Sequence, residues 1–145
     1  MIVITELLHY MEIREMGKLK AYIVNDKWND AGSIVVWAET SGKAKSNALY
    51  NDVFDGCEYT ELRTERVKDF DKYADTKKVP IQELLNMSWW FGCSGFCGRE
   101  INQDDIDAKE AFIIDGQRDF NTFVKGDVVC AECKKKLEEC RHVDK

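Results

Sequence analysis

Six cysteines stand in this chain, and four of them form two short pairs, Cys93-Ser-Gly-Phe-Cys97 and Cys130-Ala-Glu-Cys133, with 32 residues between Cys97 and Cys130. A spacer of two or three residues lets one tight turn aim both thiolates of a pair at a common point. Two such turns supply four sulfurs at ~2.3 Å from a tetrahedral ion. The spacing predicts one structural Zn²⁺ held by Cys93, Cys97, Cys130 and Cys133. The three-residue spacer of the first pair departs from the commoner two. Gly95 and Gly98 suit the first turn, because such knuckles need positive φ or a close backbone approach. An all-thiolate set is closed, whereas catalytic zinc keeps an open position and recruits His or carboxylate ligands, so the predicted ion is structural. Four thiolates and one Zn²⁺ would take the formal charge from −6 to about −8. Lys134, Lys135 and Lys136 follow Cys133 directly, placed either to offset that charge as a solvated face or to bind phosphate. Cys57 and Cys140 read as small hydrophobes, with Cys140, two helical turns beyond Cys133, the alternative fourth ligand.

Other chemistries lack their parts. His9 and His142 are the only histidines, and neither sits in a nucleophile-elbow context for a Ser-His-Asp triad. Phosphate-loop, dinucleotide-binding and HExxH motifs are absent. The acidic run Gln103-Asp104-Asp105-Ile106-Asp107 reads as a solvated loop, and the chain is expected not to be an enzyme. Trp89-Trp90-Phe91 closely precedes the first pair and Phe96 lies within it. Small metal subdomains bury few residues, so these aromatics are expected to complete a core; the alternative is an exposed patch for a protein or a base. Trp28, in a loop, is a candidate contact residue. The candidate partner-binding residues are thus Trp28, Trp89, Trp90, Lys134, Lys135 and Lys136.

Several elements must position these groups. Residues 5–16 carry Leu7, Leu8 and Met11 at helical spacing, ended by Gly17. Residues 18–24 and 33–39 are rich in β-branched and aromatic side chains and read as a hairpin with a long loop. Thr40-Ser41 offers a cap for a helix over 41–54, with Ala44, Ala48 and Leu49 on one face and Asp55-Gly56 as its stop. Residues 58–67 read as a third, half-solvated strand. Residues 68–79 are charged and weakly patterned, a linker or a solvated helix, and Pro80 opens a short helix. Beyond it, 110–115 and 118–124 form a hairpin about Asp115-Gly116, Lys125-Gly126-Asp127 turns the chain, and a helix runs on from the second cysteine pair. The expected fold is α+β. Residues 1–79 form a small antiparallel sheet with packed helices, and residues 80–145 form a zinc-binding subdomain. The order of knuckle, hairpin and a knuckle opening a helix resembles a treble-clef zinc finger over Cys93 to Cys140, about a third of the chain.

At 145 residues, 44% of them hydrophobic, the chain can bury a core. Charged residues reach 33%, with a formal charge of −6 and a pI near 5.0. Neither part is basic: 14 acidic residues meet 12 basic ones before Pro80, and 13 meet 9 from there on. This argues against a dedicated nucleic-acid binder. No apolar run approaches the length of a membrane span, and no secretory leader or lipidation box is visible, so a reducing, cytoplasmic setting is expected.

The segment KAYIVNDKWNDAGSIVVWAETSGKAKSNAL (20–49), continued by YTELRTERVKDFDKY (59–73), resembles a group of small uncharacterised proteins encoded by phages and prophages of bacteria. The shared elements are VVxAETxxKAK, matched by 35–45, and L-R-x-x-R…D, matched by 62–71. The resemblance implies an accessory protein in the bacterial cytoplasm and brings no activity or catalytic residues; residues before Met16 are an extension. The expected function is that of a non-catalytic, zinc-stabilised phage accessory protein binding a host or phage protein, such as an inhibitor of a host defence or nucleic-acid-handling enzyme. The alternative is a nucleic-acid-binding zinc-finger module using Lys134 to Lys136 with the aromatics, or Lys43, Lys45, Arg63 and Arg66.

Overall fold

A computed structural model describes residues 19–28, 32–95, 97–118 and 121–143, without the side chains of 140–143. The expected helix over 5–16, His9, Phe96 and the side chains of Cys140 and His142 lie outside the described residues. The chain divides into two compact units, one ending at Lys77 and the other starting at Lys78. The division falls two residues before the expected one because Val79 belongs to a strand pair of the second unit.

In the first unit β1 (Lys20–Asp26) pairs antiparallel with both β2 (Ser33–Ala38) and β3 (Leu62–Arg66), giving the order β2-β1-β3. As the central strand, β1 buries Ala21, Tyr22, Ile23 and Val24 consecutively, so both faces of the sheet are covered there. The edge strand β3 buries Leu62 but exposes Arg63 and Glu65, as its polar alternation requires. The helix expected over 41–54 is shorter: α1 spans Ser41–Ala48, with Ala44 and Ala48 buried and the Thr40 side chain accepting from the Lys43 N–H. Asn51 then caps a separate 3₁₀ turn, Asp52–Phe54, that buries Phe54. Asparagine competes for backbone N–H groups and so starts elements rather than continuing them. The strand expected from residue 58 begins only at Leu62, after a 3₁₀ turn over Tyr59–Glu61. Residues Lys68–Tyr73 form a 3₁₀ helix, neither linker nor free solvated helix. Phe70 is buried, and its carbonyl accepts from the Trp37 indole at 2.9 Å.

Residues of the segments 35–45 and 62–71 serve this architecture. Lys43 pairs with Glu39 at 2.7 Å, one turn apart. Arg66 and Asp71 form a two-pronged pair, with both contacts at 2.6 Å, and Asp71 also accepts the Ala21 N–H at 2.8 Å. Charge-assisted, two-pronged pairs are the stronger kind. This one returns the chain after β3 onto the central strand.

Among its described residues the second unit has three two-stranded pairings and three helices. The strands and helices are β4 (Val79–Pro80), α2 (Ile81–Asn86), β5 (Phe91–Gly92), β6 (Glu100–Ile101), α3 (Gln103–Asp107), β7 (Ala111–Ile114), β8 (Val124–Lys125), β9 (Asp127–Cys130) and α4 (Ala131–Val143). Pro80 occupies the N-cap of α2, whose Ile81, Leu84 and Leu85 are buried. The acidic run expected as a loop is helix α3, because Asn102 and Asp105 form a reciprocal capping box. The expected hairpin of 110–115 with 118–124 does not form. Instead β7 pairs antiparallel with β9 (Ala111↔Cys130, Ile114↔Asp127), and Val124–Lys125 pairs parallel with β4. Burial explains the choice. Val128, Val129 and Cys130 are all buried in β9, whereas among the described residues of 118–124 only Phe123 and Val124 are buried. Among the described residues no helix is long and apolar enough to cross a membrane.

Candidate metal centre

Each cysteine reaches the centre from a different part of the second unit. Cys93 follows β5 and Cys97 precedes β6, so the β5–β6 hairpin folds the first pair into a turn. That turn is tied by the Cys93 N–H to the Arg99 carbonyl at 2.7 Å. The Ser94 N–H donates to the Val128 carbonyl at 2.9 Å, which seats the turn against β9. Cys130 ends β9 and Cys133 lies in the first turn of α4. The result is that the sulfurs of Cys93, Cys97, Cys130 and Cys133 lie within 4.8 Å of one another. A tetrahedron with ~2.3 Å metal–sulfur bonds has edges of ~3.8 Å. The Cys97 to Cys130 separation is 3.6 Å, close to that edge and far beyond a disulfide bond.

The glycines of the turn have separable duties. Gly98 takes φ +66 with open space beside it, a left-handed position. Gly95 has no such φ; a Cβ there would stand 2.5 Å from Cys133 Cβ and 2.6 Å from its sulfur. The two halves of the cluster meet through the missing side chain.

Backbone amides point at the sulfurs. Cys93 Sγ accepts from the Gly95 and Cys130 N–H groups, both at 3.3 Å; Cys97 Sγ accepts from Arg99 at 3.5 Å, and Cys130 Sγ from Cys133 at 3.4 Å. Such donors favour thiolate over thiol. Burial nevertheless pushes the Cys93 thiol up to about 12, and the two amides and neighbouring sulfurs only modulate that. At Cys130 the Cys133 amide favours the thiolate, but burial and the adjacent Cys133 and Cys97 sulfurs outweigh it, so this thiol also sits above its ordinary value. Cys133 is lowered to about 7, chiefly by the hydrogen bond from Cys130, with Cys97 and Cys93 adding to it against burial. The metal-free cluster therefore shares its protons and presents Cys133 as its most acidic member of these three. A soft, all-sulfur, closed set of this kind suits Zn²⁺ among common divalent ions.

Two arginines that sequence reasoning missed brace the centre. Arg118 donates to the Gly92 carbonyl at 2.9 Å, to Asp127 at 2.6 Å and to Asn121 at 3.0 Å, and its guanidinium lies 5.3 Å from the Phe91 ring. It joins the strand before Cys93 to the strand that delivers Cys130. Arg99 pairs with Asp105 and Glu110 at 3.0 and 3.2 Å, linking the turn to α3 and to the approach of β7. Neither shows a spacing signal in sequence, since each partner is fixed by tertiary contact.

The candidate contact residues separate. Trp89 is half-buried, its ring 6.2 Å from that of Phe91 and 6.0 Å from that of Phe123, and Phe91 is buried. Trp90, expected in the core with them, is instead 58% exposed, although it stands between half-buried Trp89 and buried Phe91. Trp28, in the first unit, is 65% exposed with the Lys27 ammonium 4.7 Å from its ring. Lys134 places its ammonium 4.2 Å from the Phe112 ring, while Lys135 and Lys136 are exposed. Cys57 lies half-buried in the first unit and is not one of the four clustered cysteines; burial, then Glu61, Asp26 and Asp55, raises its pKa. No family model matches the chain, and no curated protein or solved structure gives a significant match.

Proposed function

We propose that this chain is a non-catalytic phage accessory protein whose second unit is a treble-clef-like finger holding one structural Zn²⁺, and that it acts in the bacterial cytoplasm by binding a host or phage protein. The observation that carries the metal reading is the approach of four cysteine sulfurs to within 4.8 Å of one another. Four protein ligands leave no open position for a substrate, which favours a structural ion. The order of knuckle (β5–β6), antiparallel pair (β7–β9) with Cys130 at its end, and helix α4 with Cys133 in its first turn supports the treble-clef reading. An enzyme of the host's defence or nucleic-acid metabolism is the class of target proposed, on the phage-like motif and the acidic charge.

A nucleic-acid role is the weaker reading. Lys43 and Arg66 are committed to Glu39 and Asp71, and Lys134 lies over Phe112 rather than standing clear with Lys135 and Lys136. Zinc analysis of the purified full chain tests the proposal, with one Zn per chain expected. Cys133→Ser is expected to unfold the second unit and leave the first folded, because structural zinc supplies ~10–16 kcal/mol of apparent binding energy in finger peptides. Affinity capture is expected to recover one stoichiometric protein insensitive to nuclease. A salt-dependent gel shift at ~50 mM salt would instead favour the nucleic-acid reading.

A further inference from the structure

The four sulfurs differ in how solvent reaches them. Cys93, Cys130 and Cys133 are buried at 8%, 3% and 5% relative exposure, whereas Cys97 is exposed. Cys97 Sγ lies 3.6 Å from the sulfur of buried Cys130, which is 33 residues further along the chain. Metal coordination keeps a cysteine sulfur deprotonated, and a thiolate within reach of solvent is the form that peroxides attack. A sulfenic acid made on Cys97 would find a second sulfur already beside it.

We propose that Cys97 is the oxidant-reactive site of this metal centre and that Cys130 resolves it, so that a hydroperoxide converts the zinc-bound chain into a metal-free chain carrying a Cys97–Cys130 disulfide. This rests on the zinc reading above. In the first step the Cys97 thiolate attacks hydrogen peroxide. An S–O bond forms, the O–O bond breaks, hydroxide leaves, and the sulfur has lost two electrons. In the second, the Cys130 thiolate attacks the Cys97 sulfenic sulfur, the S–S bond forms, and the S–O bond breaks to release a second hydroxide. Both hydroxides take up protons as water. Closing the sulfurs from 3.6 Å to the ~2.05 Å of a disulfide is a movement of ~1.5 Å. Cys93 and Cys133 then remain as two ligands where the structural site needs four, and the ion leaves. The disulfide keeps the cysteine turn tied to the start of α4 in the metal's absence.

The test uses the full chain carrying Cys57→Ser, which removes the half-exposed thiol of the first unit. Zinc content is measured before any oxidant is added. A chain that never holds zinc overturns both readings, whereas a zinc-loaded chain that fails the next step overturns this one alone. Hydrogen peroxide is then added in small molar excess, with a chromogenic chelator reporting released zinc. Unreduced protein is digested after its phenylalanine and glutamate residues, among them Phe96, Glu110, Glu132 and Glu139, which places the four cysteines on separate peptides. The expected result is stoichiometric zinc release together with a first cross-link between 97 and 130, both reversed by a thiol reductant and added zinc. Retained zinc, or a first cross-link joining Cys130 to Cys133 or involving Cys93, overturns the proposal. Cys97→His, which keeps a metal ligand and removes the reactive sulfur, is expected to slow zinc release at least tenfold; native-like release from a zinc-loaded Cys97→His chain counts against it.

Discussion

In Gly95→Ala the added methyl group would stand 2.5 Å from Cys133 Cβ, 2.6 Å from Cys133 Sγ and 3.4 Å from Cys93 Sγ. Carbon atoms settle at ~3.5–4.0 Å, so Cys133 or the turn must retreat by ~1 Å or more. Cys133 has little freedom to do so, because its N–H bonds to Cys130 Sγ and it lies in the first turn of α4. Overpacking of this kind costs ~1–3 kcal/mol. Expressed in metal affinity, that is about 5- to 150-fold weaker binding. The assay is zinc competition against a metallochromic chelator at fixed pH, with cobalt spectra to report whether four sulfurs still coordinate. Gly98→Asn is the control. Residue 98 has φ +66 and open space around it, and asparagine tolerates that conformation, so affinity is expected within about threefold of native. A Gly95→Ala chain binding as tightly as the native one would refute the close-approach reasoning. Equal losses at both positions would place the constraint in the turn as a whole.

Zinc affinity is expected to rise steeply with pH. Cys93 at about 12 and Cys130, also raised, hold protons near neutrality, and binding must displace them. At least two protons leave per zinc, so affinity gains about 100-fold per pH unit around pH 7–8; potentiometric or chelator titrations giving less than tenfold would contradict this. Asp71 is held below the usual carboxylate range, first by the Arg66 hydrogen bonds, then by the Ala21 N–H, against some burial. A depressed carboxylate adds stability above its unfolded pKa of ~3.9 and loses it as pH falls through the lower folded value. Asp71→Asn is therefore expected to destabilise the first unit by ~1 kcal/mol at neutral pH, discounted for its partial exposure, and to lose less stability than native on acidification, as read by urea midpoints. Arg118→Met leaves Asp127 at a largely buried position without its cationic partner, with the Val128 N–H still donating to it, and removes the tie to Gly92. It is expected to lower second-unit stability by ~2–3 kcal/mol, with Arg118→Lys recovering only part, since lysine cannot span several acceptors at once. Thermal melts of the zinc-loaded chain measure it.

Local signals carried some elements and misled on others. The hairpin of β1 and β2 was legible because hydrophobic runs flank a turn-rich loop, and the cap at Thr40 because threonine before a helical stretch has one strong use. The partner of β7 was not. Residues 118–124 lie nearer in sequence, yet β7 pairs with β9, whose Val128, Val129 and Cys130 are all buried. The acidic stretch 103–107 looked like a solvated loop by charge, but the Asn102–Asp105 box makes it a helix. Trp89 and Trp90 look alike in sequence; only packing against Phe91 and Phe123 tells the half-buried ring from the exposed one.

Ligand identity is a property of the polymer itself, since a spacer of two or three residues bends the chain whatever surrounds it. Cysteine type and spacing thus determined which four sulfurs could share an ion, and the hydrophobic patterning carried the α+β character. Tertiary structure decided how the two pairs meet: through a glycine too close to Cys133 for any side chain, through β9 seating the turn by the Ser94–Val128 hydrogen bond, and through Arg118 bridging Gly92 and Asp127. It also decided which sulfur faces water. Those contacts join residues tens of positions apart, where pairing depends on the summed burial and hydrogen bonding of the whole unit and leaves no periodicity to read.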